Sequence, residues 1–450
     1  MIETSADCNR FHLENFDGDW IVHIIPVEDG VHPADNSPCI LFIRNLSTGK
    51  TYYYSFSHPD SISQVTHAWF VQEFLLNAKN RKWAIDKKAF TQLLYLPGIM
   101  DANLCGFFTH NEVEELTEFE TVAHNLVRRN SNGAGQVNKA IPLMKHLEAF
   151  DDMCDDLTKL IRKFKVDDAY HSFNQVIGTL GEVEANGIYV DSALFEKHFG
   201  VKPNANGLVF SQYNVYTSTG RPSNRYGGVN YAALNHTDGS RSCFTSRYGK
   251  DGKIIVIDYT AFHPRIICRL TDYDLPIETD IYEYLAKLYF QKKNVDETDV
   301  KNAKQLTFRQ LYGGVEDKYA HIKYLANLKT YIDQQWDFFR ANGYVETPVF
   351  KRKITDQHIQ DPNPNKVFNY ILQAVEGEMA IPQLQLVLQY LRGKKTKAVL
   401  YTYDAVIYDF HKDDGFQTLN HIRQIMSCDG AFPMKTYLGD SYHDIKLINI

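Results

Sequence analysis

Cysteine is scarce in this 450-residue chain: seven residues, none spaced as C-x-x-C. That excludes a zinc ribbon or a disulfide framework as the organising device and points to a reducing compartment. No apolar run approaches the roughly 20 residues that a membrane span requires. Met1-Ile2-Glu3-Thr4 does not open a basic-then-apolar leader. The expectation is a soluble, cytoplasmic protein with no membrane partner. There is no G-x-x-x-x-G-K-[ST] loop and no G-x-G-x-x-G after a strand, which makes a generic nucleotide-binding protein the least favoured reading. Internal repeats and low-complexity tracts are also missing. Positive charge is in deficit, with 48 lysines and arginines against 55 acids and a net charge of −7. A uniformly basic coat is thereby excluded, though a local basic groove is not, because binding follows charge distribution.

What is present allows a sizeable core. The length suits two or three domains, and 44% hydrophobic residues is ordinary for a globular protein. Tyrosine and phenylalanine are plentiful, at 28 and 27 residues; any single one more often packs than stacks on a base. Residues 18–57 alternate β-rich runs (Trp20–Val27, Cys39–Leu46, Thr51–Phe56) with turn signals, and 45–50 reads as a hairpin turn. Helical periodicity over 61–78, a strand at Lys82–Ile85 and a helix at Lys87–Tyr95 complete a small α/β unit. Residues 128–139 are polar and Gly/Asn-rich, a linker or mobile loop. The pattern is helical from Ile141 to about Asn186, extended at Gly187–Asp191 and loop-rich over 205–235. From 254 onward strand, helices, strand and a last helix–strand pair alternate.

Two strand-like runs each carry one aspartate. One is Ile254-Ile255-Val256-Ile257-Asp258-Tyr259. The other, Val399 to Ile407, contains Tyr403-Asp404-Ala405. Taken singly, each aspartate reads as a strand end or a helix cap. As a pair they suit nucleotidyl transfer, which needs an aligned attacking oxygen and a neutralised phosphate. Two Mg²⁺ ions about 3.5–4 Å apart clamp both oxygens of an in-line displacement, and Mg²⁺ takes carboxylates together with substrate phosphates. Between the runs, Val300–Gly314 reads as a helix with Lys304, Phe308 and Tyr312 on one face, ended by Gly313-Gly314. The ammonium suits a triphosphate, and the rings suit a base and sugar. The plainer reading is an amphipathic helix with Leu306, Phe308, Leu311 and Tyr312 as its core stripe.

From about residue 177 to its end the chain resembles a family A DNA polymerase, the class of bacterial DNA polymerase I and many phage replicases. Several pieces occur in the family's order. Leu180–Asp191 is similar to the stretch leading into the thumb. Thr217-Ser218-Thr219-Gly220-Arg221-Pro222-Ser223, followed by Asn230, resembles the T-x-T-G-R-x-S loop that lies against the duplex. Arg241-Ser242-Cys243-Phe244 is similar to the arginine element before motif A, and Asp258 to Arg265 stands at motif A itself. Lys304 to Gly313 is similar to motif B, with Arg309 in place of a glycine. Gly343–Thr347 and Asn369-x-x-x-Gln373 resemble further family elements. Tyr403-Asp404-Ala405 stands at the H-D-E of motif C.

The resemblance implies roles. Asp258 and Asp404 would bind two Mg²⁺ ions, with the Tyr259 carbonyl as a third ligand. Lys304 would meet the triphosphate and protonate the departing pyrophosphate. Tyr259, His263, Phe308 and Tyr312 would line the nucleotide site. Arg221, Asn230, Arg241, Asn369, Gln373 and Tyr403 would contact primer–template DNA, partly at the minor-groove edge, whose pattern is degenerate in sequence. Three departures stand out. His263 replaces a glutamate that excludes ribonucleotides, leaving sugar choice open. Val300 replaces an arginine that holds the triphosphate, a loss for which Arg309 is the candidate compensation. Only Ser192 to Tyr216 occupy the place of the thumb's long helical hairpin, which implies low processivity or a partner chain that supplies the grip.

The implied fold is α+β: a right-hand polymerase with an antiparallel palm sheet, helical fingers and a much reduced thumb, preceded by an α/β exonuclease-like domain. Residues 1–127 would be that domain, 128–140 the linker, 141–216 a helical connection and vestigial thumb, 217–271 and 366–450 the palm, and 272–365 the fingers. Proofreading is not expected, since Asp17, Asp19 and Asp101 lack the carboxylate companions that a two-metal nuclease needs. The reading is a template-directed DNA polymerase using deoxynucleoside triphosphates, of phage type by its divergence and then acting in the host cytoplasm. The alternatives are a polymerase with relaxed sugar choice and a non-catalytic or partner-dependent replication subunit that kept the fold.

Overall fold

Alternating β-branched and aromatic residues build the first sheet. The computed structural model describes residues 18–61, 74, 80–96, 98–109 and 137–449, and the chain divides into units spanning Met1–Ala185 and Asn186–Ile450. In the first unit β1 (Gly18–Pro26), β2 (Pro38–Asn45) and β3 (Thr51–Ser55) form an antiparallel ribbon. Strands β4 (Asn80–Ala84) and β5 (Met100–Asp101) add in parallel, giving the order β3-β2-β1-β4-β5. The hairpin read at 45–50 is present: the Asn45 side chain accepts from Ser47 N and Thr48 N, both at 2.9 Å, so the asparagine itself shapes the turn. Trp20, Val22, Leu41, Ile43 and Phe90 pack the core beneath. The helix Lys87–Leu93 begins at Asp86, whose carboxylate caps Ala89 N. Helices Ala102–Thr109, Leu143–Lys163 and Asp168–Asn186 follow. Arg44 on β2 ties the second of these down through Asp151 and Asp155, at 3.0 and 2.6 Å. The helix expected within 61–78 and nearly all of the 128–139 linker lie outside the described residues.

The second unit opens with short strand pairs, β6 (Ile188–Tyr189) with β7 (Leu208–Val209) and β8 (Tyr213–Asn214) with β9 (Ser223–Asn224). Between Ser192 and Tyr216 the only helix is Ser192–Phe199, two turns long, capped by Asp191 and closed by Gly200 at φ +68°. The principal sheet is wholly antiparallel, in the order β13 (Lys397–Tyr401), β14 (Ala405–His411), β10 (Gly252–Tyr259), β15 (Met434–Gly439), β16 (Lys446–Ile448). Its central strand β10 runs Gly-Lys-Ile-Ile-Val-Ile-Asp-Tyr and is apolar on both faces because both faces are covered. The helix Phe262–Leu270 follows β10. Then come Ile281–Phe290, Glu297–Gly313 and Lys323–Asn342, and a small hairpin of β11 (Tyr344–Glu346) with β12 (Lys353–Thr355). The 27-residue helix Pro364–Tyr390 returns the chain to β13, and Phe416–Met426 precedes β15.

One expectation is corrected here. The run Val399–Ile407 is two strands, and Asp404 sits in the turn between them rather than at the end of one strand. Tyr403 adopts φ +68°, a left-handed conformation that a tyrosine rarely takes. Thr402 N bonds Ala405 O at 2.8 Å and Asp404 N bonds Thr402 O at 3.0 Å, closing the turn. No glycine or Asn-Gly pair marks it, so alternation alone read straight through.

Candidate active site

The two aspartates meet at the end of the β10–β14 ladder. Asp258 pairs in register with Ala405, and Tyr259 N donates to Asp404 O at 2.8 Å. The backbone therefore fixes the two carboxylates as neighbours. Burial first, and then the charge of Asp404, push the Asp258 carboxyl up to about 7, against opposing pulls from Lys435 and Lys304. Asp404 is exposed as a residue, yet nearby protein raises its carboxyl too, with Glu376 as the second cause and Arg221 and His263 opposing. Two crowded carboxyls that each resist ionising make an oxygen pair that a hard divalent cation would draw into the charged form. The Tyr259 side chain is not part of that surface: it stacks on Phe262 at 3.9 Å and donates to Met426 O, leaving only its backbone to the site.

The helix Glu297–Gly313 buries Ala303, Thr307, Gln310 and Leu311. Of the expected stripe Leu306, Phe308, Leu311 and Tyr312, only Leu311 is buried; Lys304 and Tyr312 are exposed, with Phe308 half-buried between them. Phe308 and Tyr312 stack at 6.0 Å and 10°. The Lys304 ammonium lies 6.0 Å from the Phe308 ring and 5.6 Å from the ring of Tyr282, which holds it by cation–π attraction. Its charge reaches Asp258. Tyr282 is placed by the first turn of Ile281–Phe290, where Asp280 caps Tyr282 N and Glu283 N. The loop before it is gripped by the Arg265 guanidinium on the carbonyls of Leu275, Pro276 and Ile277. The far end of the Lys304 helix is pinned by Asn365 Nδ2 on Gly313 O and Asn369 Nδ2 on Tyr312 O, at 2.9 and 3.2 Å. Arg309, the candidate compensation for Val300, is exposed and pairs with Glu316 at 2.5 Å, a carboxylate it shares with Lys318.

Glu376, from the middle of Pro364–Tyr390, ties four elements together. Its carboxylate is 2% exposed. Arg221 Nε lies 2.8 Å from Oε2, and Arg221 Nη2 donates to Oε1 at 3.2 Å. His263 Nε2 is 3.0 Å from Oε2, while His263 Nδ1 is 2.6 Å from the Tyr312 hydroxyl. Arg221 lies over Tyr403 at 3.5 Å from the ring centroid, directly beside Asp404. The loop carrying Arg221 is shaped by its own residues: Gly220 takes φ +73°, Gly220 N bonds Thr217 O, and Thr217 Oγ1 donates to Arg221 O.

Other residues singled out from sequence fall around this core. The Asn369 Oδ1 is buried with no hydrogen-bond partner among the described residues. Gln373 is half-buried one turn further along the helix. Arg241 donates to Leu234 O and lies over Tyr442 at 4.3 Å, and Tyr442 feels the charge of both aspartates. Asn230 is exposed before a 3-10 turn, with no side-chain role in capping it. Sequence reading missed Glu376, Tyr282, Tyr442 and Lys435. Lys435 pairs with Asp258 across β15. For Glu376 a signal existed: two acids, Glu376 and Glu378, interrupt an otherwise apolar helical run.

The acids of the first unit are engaged in structure. Asp19 pairs with Arg81 and accepts from Trp83 Nε1 at 3.0 Å. Asp101 is fully buried and accepts from Lys87 N and Leu104 N at 3.0 and 2.9 Å. Asp17 lies outside the described residues. Asp101→Ala should leave two buried donors unmet and lower stability by about 2–4 kcal/mol, measured by urea unfolding, while leaving any removal of a mismatched primer end unchanged.

Neither a family model nor a curated protein matches the chain. Among the described residues no helix is long and apolar enough to cross a membrane. Among solved structures, the POL domain of Pol1 from M. smegmatis, in complex with DNA primer-template and dNTP, is similar at a TM-score of 0.72 and 15% identity, over 98% of each chain. At that identity the likeness speaks for architecture: the chain has the mixed α+β fold of a Pol1 polymerase domain.

Proposed function

We propose that the chain is a template-directed DNA polymerase that adds deoxynucleoside monophosphates to a primer 3′-hydroxyl. One observation carries the proposal. Asp258, Asp404 and the outward face of the Lys304 helix come together in one place, within a fold shared with a domain solved on primer-template and dNTP. In this reading the principal sheet and Pro364–Tyr390 form the palm (217–271 and 366–450), and 272–365 form the fingers. Residues 1–127 are a degenerate exonuclease-like domain in a structural role, followed by the linker 128–140 and the connection 141–216.

The donor set fits Mg²⁺: two crowded carboxylates with the Tyr259 carbonyl nearby, all oxygen. Two such ions, when bound, supply the Lewis acidity that neutralises attacking and leaving oxygens. The chain's residues do the rest. Lys304 meets the triphosphate. As the 3′-hydroxyl gives up its proton to water and its oxygen bonds to the α-phosphorus, the bond to pyrophosphate breaks and Lys304 hands a proton to the departing group. Phe308 supports the sugar and base, and Tyr312 lies beside the template base. Movement of the Lys304 helix toward a correct base pair aligns these groups, turning geometric fit into rate. Arg221, Arg241, Asn369, Gln373, Asn230 and Tyr403 face the primer–template.

The test is extension of a labelled primer on templates that differ only in the first unpaired base. The nucleotide added follows the template. Addition that ignores the template base, or none by folded protein bound to primer–template, overturns the proposal. With the two-turn helix Ser192–Phe199 as the whole helical content between 192 and 216, grip on the duplex is weak. Products per encounter are short unless a partner protein supplies the missing thumb.

A further inference from the structure

Glu376 sits where no motif of the sequence reading placed a residue, and its contacts decide how His263 presents itself. Glu376 only accepts, so His263 Nε2 donates to Glu376 Oε2 at 3.0 Å. His263 Nδ1 is in turn engaged by the Tyr312 hydroxyl at 2.6 Å. Both ring nitrogens are thereby used within the protein. The ring is also held from two sides, by the helix Glu297–Gly313 through Tyr312 and by Pro364–Tyr390 through Glu376. Its side chain is 11% exposed. The buried carboxylate is itself kept in place by Arg221, which balances its charge at 2.8 Å.

We propose that Glu376 is a positioning residue for sugar selection: it locks His263 as a fixed wall of the nucleotide site with no hydrogen-bonding group to offer. This rests on the polymerase reading above. A 2′-hydroxyl brought against that ring loses its water contacts and gains no partner, a mismatch worth about tenfold or more. Freed from Glu376, the ring can turn aside or give a nitrogen to the hydroxyl, and discrimination falls. In Glu376→Gln the amide oxygen serves either His263 or Arg221 and the charge is gone, so the ring is loosened with little change in volume.

The experiment is single-nucleotide incorporation of matched deoxy- and ribonucleotides by wild type, E376Q, E376A, H263A and the E376A/H263A double variant. Circular dichroism and melting establish that each is folded. The deoxy-to-ribo ratio of kcat/KM is expected to fall about tenfold in E376Q and E376A and by a similar factor in H263A, with no further fall in the double variant. A merely structural role would slow both sugars alike and leave the ratio intact. The proposal is overturned by a ratio within about twofold of wild type in folded E376Q, or by independent effects of Glu376 and His263. Should only E376Q fold, it decides alone; should neither E376Q nor E376A fold, E376D, whose shortened side chain draws the carboxylate away from His263, decides by the same criterion. Wild type that extends with neither sugar overturns the polymerase reading, and the proposal with it.

Discussion

Asp258→Asn should abolish nucleotide transfer and make the metal-free protein more stable. The catalytic loss follows from removing a carboxylate of the proposed metal pair. A deficit of about 4 kcal/mol in transition-state stabilisation corresponds to about 10³-fold in rate. The stability gain follows from the raised carboxyl. In the folded chain it is pushed up to about 7 by burial and by Asp404, while in an unfolded chain it stands near 3.9. A folded value above the unfolded one means that the stabilisation is fully present below about pH 4. It is lost as pH rises through about 7, because the native site holds a proton that the unfolded chain has released. Asp258 is half-buried and titrates jointly with Asp404, which reduces the effect to about 2 kcal/mol at pH 8. Melting curves from pH 4 to 8 without divalent ions should show the variant overtaking wild type as pH rises, by about 2–4 °C at the alkaline end. Added Mg²⁺ should raise wild type and leave the variant nearly unmoved. Equal melting at every pH would mean that the two carboxylates are not strained together.

Lys304→Ala should cost about 10²–10³ in kcat/KM for the nucleotide, the usual effect of removing one charged donor aimed at developing negative charge. Lys304 is exposed and forms no ion pair among the described residues; the rings of Phe308 and Tyr282 hold it. Truncation therefore leaves the fold's stability within about 0.5 kcal/mol, and the loss is one of chemistry. Lys304→Arg keeps the charge but spreads it over a planar fork, so it should recover part of the activity, mainly in KM. Steady-state kinetics on a primed template separate these effects. A full recovery with arginine would place Lys304 at simple charge attraction. Unchanged kcat/KM in the alanine variant would remove it from the site.

Much of this site was legible in the chain, for physical reasons. Strand β10 is a continuous β-branched run ending in Asp258, and nothing local competes with it. The Lys304 helix carries its own capping box at Asp296 and Asp299 and a Gly-Gly stop, so the spacing of 304, 308 and 312 translates directly into one face. Which face would be buried was not legible, since Thr307 and Gln310 look like surface residues. They are buried because Thr307 donates to Ala303 O and Gln310 reaches Glu316. The Asp404 turn was hidden because its strain is borne by Tyr403, a residue typical of strands, under the Arg221 guanidinium. Glu376 escaped notice because its partners are remote: His263 is 113 positions away and Arg221 is 155. Neither periodicity nor a local motif carries information over that span, and the pairing exists only once the sheet and its long helix have formed.

The most direct measurement is rapid-quench incorporation of one matched deoxynucleotide on a primed template with Mg²⁺, comparing wild type with Asp404→Asn at equal DNA occupancy. The account predicts that wild type adds the templated base. The variant, folded and bound to the same DNA, should be slower by about 10³-fold or more. A variant that incorporates within about tenfold of wild type would contradict the assignment of chemistry to the Asp258–Asp404 pair.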